Sequence, residues 1–283
     1  MLRPRGLPEK LAEVDRTLVM GVLNVTPDSF SDGGRFAETQ TAIAHGLAMV
    51  ADGADIVDVG GESTRPGSER ISVTEELDRV LPVVEGLVAQ GVAVSIDTMR
   101  STVAAAALAA GAMMVNDISG GKADAELLQV VAAAQVPFVL MHWRGPSNIM
   151  ATLTDYQDVA SDVADELALQ VDVAIAAGIE RNRIAVDPGI GFAKTPEQNW
   201  PILRELEQLD ALELPVLWGV SRKRFLGELL ADASGEPRPL DQREAATIAL
   251  TTYLALAGAW AVRVHEVRSS RDAVDVVRRL VHD

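Results

Sequence analysis

The feature that most restricts what this chain can fold into is a repeated three-part unit. A helix-prone stretch ends in glycine, a short apolar run follows, and that run stops at a polar residue. Ala51-Asp-Gly53 leads into Ile56–Gly60, Ala89-Gln-Gly91 into Val92–Asp97, Ala109-Ala-Gly111 into Met113–Asn116, Ala176-Ala-Gly178 into Ile184–Asp187, and Ala257-Gly258 into Ala261–His265. Glycine just past a helix supplies the left-handed turn that ends it, and a near-continuous apolar run after it reads as a parallel strand covered on both faces. Leu18–Leu23, Pro137–Met141 and Pro215–Trp218 bring the strands to eight, separated by helix-prone segments at 42–50, 74–88, 101–110, 124–134, 155–177, 197–206, 222–231, 241–257 and 273–281. Asp241-Gln-Arg-Glu244 has the pattern of a capping box, which would start its helix at Asp241. Strands alternating with helices in this number predict an α/β fold, a (β/α)8 TIM barrel in one domain over residues 17–283, with residues 1–16 as a flexible tail. A doubly wound open sheet is the alternative, but the first strand is not followed by G-x-G-x-x-G.

A barrel places its active site at the C-terminal ends of its strands. What stands there is polar: Asn24; Gly60-Gly-Glu-Ser-Thr-Arg-Pro-Gly67; Asp97; Asn116-Asp117; His142; Asp187-Pro-Gly-Ile-Gly-Phe192; Gly219-Val-Ser-Arg-Lys223; and Arg263-Val-His265. The first strand runs into an unusually elaborate loop, Asn24-Val-Thr-Pro-Asp-Ser-Phe-Ser-Asp-Gly-Gly34, longer than a connector requires. Asp and Asn also form ordinary turns. Aimed together at one cavity, however, two aspartates, an asparagine and a lysine offer acceptors for paired N–H groups and donors for ring nitrogens and a carbonyl, the complement of a planar heterocycle. Arg263 and His265 alternate on one strand and so face the same way, either as a pair for phosphate or as a satisfied strand-end pair. Ser221-Arg-Lys223 reads as a helix start, offering N–H groups to an anion.

Composition excludes several classes of function. With 48% hydrophobic residues the chain can bury a large core, and with no cysteine it has neither disulfides nor thiolate metal sites, compatible with the cytoplasm. No apolar run reaches the length of a membrane span, and the N-terminal residues lack the apolar stretch of a secretory signal. A formal charge of −16 argues against nucleic acid as partner, so an anionic ligand needs local cations. Lys194 and Lys223, two of only four lysines, fall in polar motifs after apolar runs, where such a site would want them. His142 reads as structural, the acidic helix face at 155–166 as solvated surface, and the four tryptophans as packing.

The motifs GVLNVTPDSFSDGG, VDVGGESTRPG, SIDT, VNDISGG, MH, DPGIGFAKT, GVSRKRFLG and RVH, in this order from Gly21 to His265, closely resemble those of the dihydropteroate synthases, the folate-pathway enzymes that sulfonamides target. The resemblance implies condensation of 6-hydroxymethyl-7,8-dihydropterin pyrophosphate with p-aminobenzoate, giving 7,8-dihydropteroate and pyrophosphate, assisted by Mg2+, in a homodimer. It implies that Asp97, Asn116, Asp187 and Lys223 bind the pterin, with Met141 and Phe192 as apolar contacts. It assigns pyrophosphate to Arg263 and His265 with Thr64 and Arg65, p-aminobenzoate to Thr64, Pro66, Phe192 and Ser221, and a Mg2+ ligand to Asn24. Phe30, Asp32, Arg65 and Lys223 become the expected catalytic residues, closing over a pterin cation in a dissociative displacement. A pterin-binding methyltransferase and a pterin-binding homologue without activity are the competing readings.

Overall fold

The computed structural model describes residues 1–26, 34–62 and 70–281. Eight parallel strands, β1 (Leu18–Asn24), β2 (Ile56–Gly60), β3 (Val94–Asp97), β4 (Met114–Asp117), β5 (Phe138–Met141), β6 (Ile184–Asp187), β7 (Leu217–Trp218) and β8 (Ala261–Val264), lie in the order β6-β5-β4-β3-β2-β1-β8-β7. A lone bridge between Val186 and Val216 joins the two ends, so the sheet closes into the expected (β/α)8 barrel. The helices are α1 (Glu9–Ala12), α2 (Gly34–Ala51), α3 (Val73–Ala89), α4 (Ser101–Ala109), α5 (Glu126–Ala134), α6 (Val159–Ala176), α7 (Asn199–Arg204), α8 (Glu207–Asp210), α9 (Arg224–Leu229), α10 (Glu244–Leu256) and α11 (Val267–Val281).

Alternation along the strands splits the core in two. Val57, Val59, Val94, Ile96, Val262 and Val264 face outward and join the helices in the larger cluster. Leu18, Met20, Ile56, Met114, Val139, Ala185, Leu217 and Ala261 face inward and fill the lower barrel. Because side chains alternate with a period of two, the next inward positions up are Asp58, Asn116, Asp187 and Arg263. The apolar plug therefore ends, and the polar site begins, within one layer of side chains.

Residues 1–16, expected to trail off as a tail, fold back across the bottom of the barrel. Leu7 and Leu11 are buried in the inner cluster, and the Arg3 guanidinium donates to the carbonyls of Leu11 (3.2 Å), Val14 and Arg16 (2.8 Å). The sequence disguised this because two leucines among charged residues suffice when they cap an existing apolar layer. Leu11→Ala is expected to cost roughly 2–4 kcal/mol of stability, read as a lower urea midpoint, if the segment plugs the barrel as its burial indicates.

Two expected helix caps need correction. Asp241 does not cap α10: Leu240–Gln242 forms a 3-10 turn after Pro239, and the helix begins at Glu244 with Arg243 as N-cap. Arg243 instead reaches back to the carbonyls of Arg238 (2.8 Å) and Arg222 (3.1 Å). Nor does Ser221 cap α9, whose N-cap is Lys223. The intervening Arg222 adopts φ +57°, a left-handed conformation that delays the helix; its N–H donates to Thr247 Oγ1 (3.1 Å) and its Nε to Glu244 (2.8 Å).

Candidate active site

Register sets the heights of the strand-end residues. Asn24 pairs with Gly60, Gly60 with Asp97, and Asp97 with Asn116, while Met141 pairs with Asp187. Arg263 starts lower, level with Met20, so its long side chain rises across the barrel. It ends between two carboxylates: Nε donates to Asp58 Oδ2 at 2.7 Å and an Nη to Asp97 Oδ2 at 2.6 Å. The same Asp58 oxygen accepts from Asn116 Nδ2 at 2.9 Å. Four residues from four strands thus form one bonded group on the barrel floor.

Charge in this group is held in tension. Burial pushes the Asp97 carboxyl up, Arg263 pulls it back, and Asp58 raises it again, leaving it at about 7. Burial works against the Arg263 charge, but Asp58 and Asp97 together hold the guanidinium firmly protonated. Beside it, Asp187 is raised by burial against the Gly189 N–H it accepts (2.7 Å) and the nearby Lys223. Lys223 is lowered to about 8 by burial, against the pull of Asp187. Its ammonium lies 4.2 Å from the centre of the Phe192 ring, a cation–π contact that fixes both side chains at one wall.

Gly189 makes that wall possible. Its φ is +66°, and a Cβ there would stand 2.7 Å from the His142 carbonyl oxygen, so only glycine lets β6 turn back over β5. The turn carries Phe192 toward Lys223 and brings Met141, nearly fully buried at the end of β5, to the same edge. On the far side, His265 is exposed after β8. Its backbone N–H donates to Ser221 Oγ at 3.2 Å and its Nδ1 lies 3.0 Å from the same oxygen. The expected Ser221 helix-start site is thereby replaced by a Ser221–His265 pair.

The structure accordingly brings Asp97, Asn116, Met141, Asp187, Phe192, Ser221, Lys223, Arg263 and His265 to one end of the barrel, with Asn24 half-buried at the end of β1. Phe30, Asp32, Thr64, Arg65 and Pro66 lie outside the described residues. Lys194 is not an anion ligand here. It is buried, and donates to the carbonyls of Gly189 and Phe192 (both 3.1 Å), with His142 Nδ1 at 3.2 Å.

That lysine opens a second bonded group, beneath the β6 turn. An ammonium can only donate, so His142 Nδ1 is an acceptor and its Nε2 carries the hydrogen shared with Glu166 at 2.9 Å. Arg144 also grips Glu166, with Nε 3.1 Å from each carboxylate oxygen. Glu166, on the helix face expected to be solvated, is instead half-buried, and bonds to His142 and Arg144 hold it down at about 2. Burial, reinforced by Lys194, holds His142 down at about 4. The histidine is thus neutral in the fold where an unfolded one would protonate below about pH 6.5. Its contribution to stability is present above pH 6.5 and is lost as pH falls through that value toward 4. The stability advantage of the natural chain over His142→Gln is therefore expected to shrink between pH 7 and pH 5 in urea titrations, and an equal gap at both would contradict the assignment.

Asp58 was missed on the sequence, although a signal was there. Like Arg263 in β8, it is a charged residue inside an apolar run, and a charge at that depth persists only with a partner. Glu166 and Arg144 carried no comparable signal, since their pairing depends on how α6 lies against β5.

Residues 20–265 match the family described as pterin binding enzyme. The dihydropteroate synthase of Mycobacterium leprae (strain TN) is 54% identical over 265 residues, covering 93% of each chain. Among solved structures, Xanthomonas albilineans dihydropteroate synthase with 4-aminobenzoic acid has a TM-score of 0.87 at 43% identity, covering 95% of this chain and 94% of that one. The same organism's enzyme in complex with 7,8-dihydropteroate has a TM-score of 0.83 at 41% identity, covering 95% of both chains. A match of this extent, on a barrel whose polar end carries the family's motifs, means that the chain belongs to the pterin-binding enzymes as a member of the dihydropteroate synthase family.

Proposed function

We propose that this chain is a transferase that joins the methylene of 6-hydroxymethyl-7,8-dihydropterin pyrophosphate to the amine of p-aminobenzoate, releasing pyrophosphate and 7,8-dihydropteroate. The observation that carries this reading is the convergence of Asp97, Asn116, Asp187 and Lys223 around the Arg263 guanidinium, in a family whose solved members hold 4-aminobenzoic acid and 7,8-dihydropteroate. The carboxylates and the asparagine receive the N–H edge of the pterin, Lys223 donates to its ring nitrogen or carbonyl oxygen, and Met141 and Phe192 pack on its faces. Arg263 and His265 hold the pyrophosphate, with Thr64 and Arg65 assigned by resemblance. Ser221 and Phe192 frame the p-aminobenzoate, with Thr64 and Pro66 assigned by resemblance.

An aromatic amine is already unprotonated near neutrality, so no strong base is required. Catalysis rests on positioning and on stabilising the departing pyrophosphate. The electron-rich pterin ring supports a cation at its methylene, which favours departure before attack, with Phe30, Asp32 and Arg65 assigned by resemblance to shield that cation from water. Mg2+ fits a limited role. Among the described residues no three His, Asp or Glu side chains are grouped to hold a metal, whereas Asn24 presents a single amide at the strand end. Such a donor suits a hard ion bound mainly through phosphate oxygens and water, where it would neutralise leaving-group charge. Of the described helices none is long and apolar enough to cross a membrane. The family resemblance supports a cytoplasmic homodimer as the working form.

The deciding experiment is an assay for dihydropteroate from the two substrates, with a sulfonamide competing against p-aminobenzoate. Turnover of the pterin pyrophosphate without dihydropteroate, or methyl transfer independent of pyrophosphate, would replace this reading. Release of pyrophosphate in the absence of p-aminobenzoate supports the dissociative order, and strict dependence on the amine rejects it.

A further inference from the structure

We propose that Asp58 is the positioning residue of the site: one buried carboxylate oxygen fixes which way the Asn116 amide faces and where the Arg263 guanidinium points, and so prepares the heterocycle site and the anion site together. The inference rests on the reading of this pocket as a site for a pterin pyrophosphate.

The geometry is specific. Asp58 is fully buried on β2, directly above Ile56 of the apolar plug. Its Oδ2 accepts from Asn116 Nδ2 at 2.9 Å and from Arg263 Nε at 2.7 Å. A carboxylate paired with a guanidinium accepts and cannot donate. Asn116 must therefore turn its NH2 toward Asp58, and its carbonyl oxygen is left as the group offered to a ligand. An amide facing the other way would offer a donor instead, which mismatches a ring edge made of N–H groups. In the same way, an Nε bonded to Asp58 pins the base of the guanidinium fork and leaves its Nη atoms as the reaching end, one of them now on Asp97 at 2.6 Å. Asp97 lies level with Gly60, two residues above Asp58, and is half-buried, whereas Asp58 is fully buried beneath it. Asp58 Oδ1 is buried and without a hydrogen-bond partner among the described residues, so the residue is retained at a cost in desolvation. A purely structural need for a counter-ion would be met by Asp97 alone. What the second carboxylate adds is orientation.

The test measures binding of two separate probes, 6-hydroxymethylpterin and inorganic pyrophosphate with Mg2+, by calorimetry. The proteins are the natural chain, Asp58→Asn, Asn116→Ala, Arg263→Gln, and the doubles of Asp58→Asn with each of the other two. Asp58→Asn is expected to weaken both probes about tenfold, the scale of one charge-assisted hydrogen bond. In the Asn116→Ala background it adds less than about threefold to the loss of pterin binding. In the Arg263→Gln background it adds less than about threefold for pyrophosphate while still weakening pterin. In turnover, the KM for p-aminobenzoate stays near that of the natural chain. Unchanged or tighter pyrophosphate binding in Asp58→Asn, or full additivity in both backgrounds, overturns the inference. If Asp58→Asn alone does not fold, the charge-balanced Asp58→Asn/Arg263→Gln double against Arg263→Gln alone gives the pterin answer. A natural chain that binds neither probe overturns the reading of the pocket and this inference with it; one that binds both while Asp58→Asn does so equally overturns only the inference.

Discussion

Replacing Arg263 by glutamine is expected to unsettle the fold and the chemistry at once, and to do so in a pH-dependent way. The guanidinium is the shared counter-ion of Asp58 and Asp97, at 2.7 and 2.6 Å. Without it, two carboxylates remain close together in a largely dry pocket, and breaking a buried pair by removing one partner costs about 3–5 kcal/mol. The penalty is relieved when a carboxylate takes up a proton. Loss of the cation raises the folded-state pKa of Asp97 further above its unfolded value; a raised carboxyl favours the fold at low pH and loses that contribution as pH climbs through its folded pKa. The deficit of Arg263→Gln is therefore expected to be larger at pH 8 than at pH 5.5, read from urea midpoints. In turnover, kcat/KM for the pterin pyrophosphate should fall by about 10²–10³, the range for removing one preorganised donor from developing negative charge. A variant equally stable at both pH values would mean that Asp58 and Asp97 are balanced by something other than this arginine.

The second large effect is expected at Asp187. The side chain is buried and serves two neighbours: it accepts the Gly189 N–H that shapes the β6 turn, and its charge supports the protonated form of Lys223. Asp187→Asn retains the shape and an acceptor for Gly189, so the turn persists. What is lost is the negative charge, and with it an acceptor that cannot turn into a donor, the part proposed for it against the pterin N–H edge. A site built to pair polar groups rejects a mismatched partner strongly, so kcat/KM for the pterin substrate is expected to drop by about 10³. The pH profile supplies the diagnostic. Asp187 holds Lys223 up; without it, burial carries the lysine further below its value of about 8. Residual activity that depends on the lysine cation should then fade at lower pH, moving the basic limb acidward. An unmoved basic limb would separate Lys223 from the reaction.

Much of this was open to sequence reasoning, for physical reasons that also explain where it stopped. The barrel was readable because βα units repeat a local signal: glycine after each helix, a run apolar on both faces, a polar strand end. Asp97, Asn116 and Asp187 were readable because fold geometry aims every strand end at one cavity. Lys194 shows the limit. A lysine in a polar motif after a strand suits an anion site equally well by pattern, and only the tight Gly189 turn reveals that its ammonium is consumed by two carbonyls and His142. Asp58 shows another. Its place in the run was visible, but its meaning required knowing that β2, β4 and β8 face each other across the barrel floor. Ser221 failed for a local reason, since a single left-handed residue at Arg222 moved the helix start by two positions.

The closure of the sheet has a mechanical consequence. Neighbouring strands from β1 through β6 are laddered over several residues, but β7 contributes two residues and meets β6 through the lone Val186–Val216 bridge, with the Val186 N–H on the Pro215 carbonyl at 2.9 Å. The ring is fastened by a clasp. Asp187 stands on one half of that clasp, and on the other Gly219 leads to Ser221 and Lys223, so the hoop is thinnest at the proposed pterin site. A ligand bridging Asp187 and Lys223 would act as a rivet across the gap, tightening the barrel as it binds.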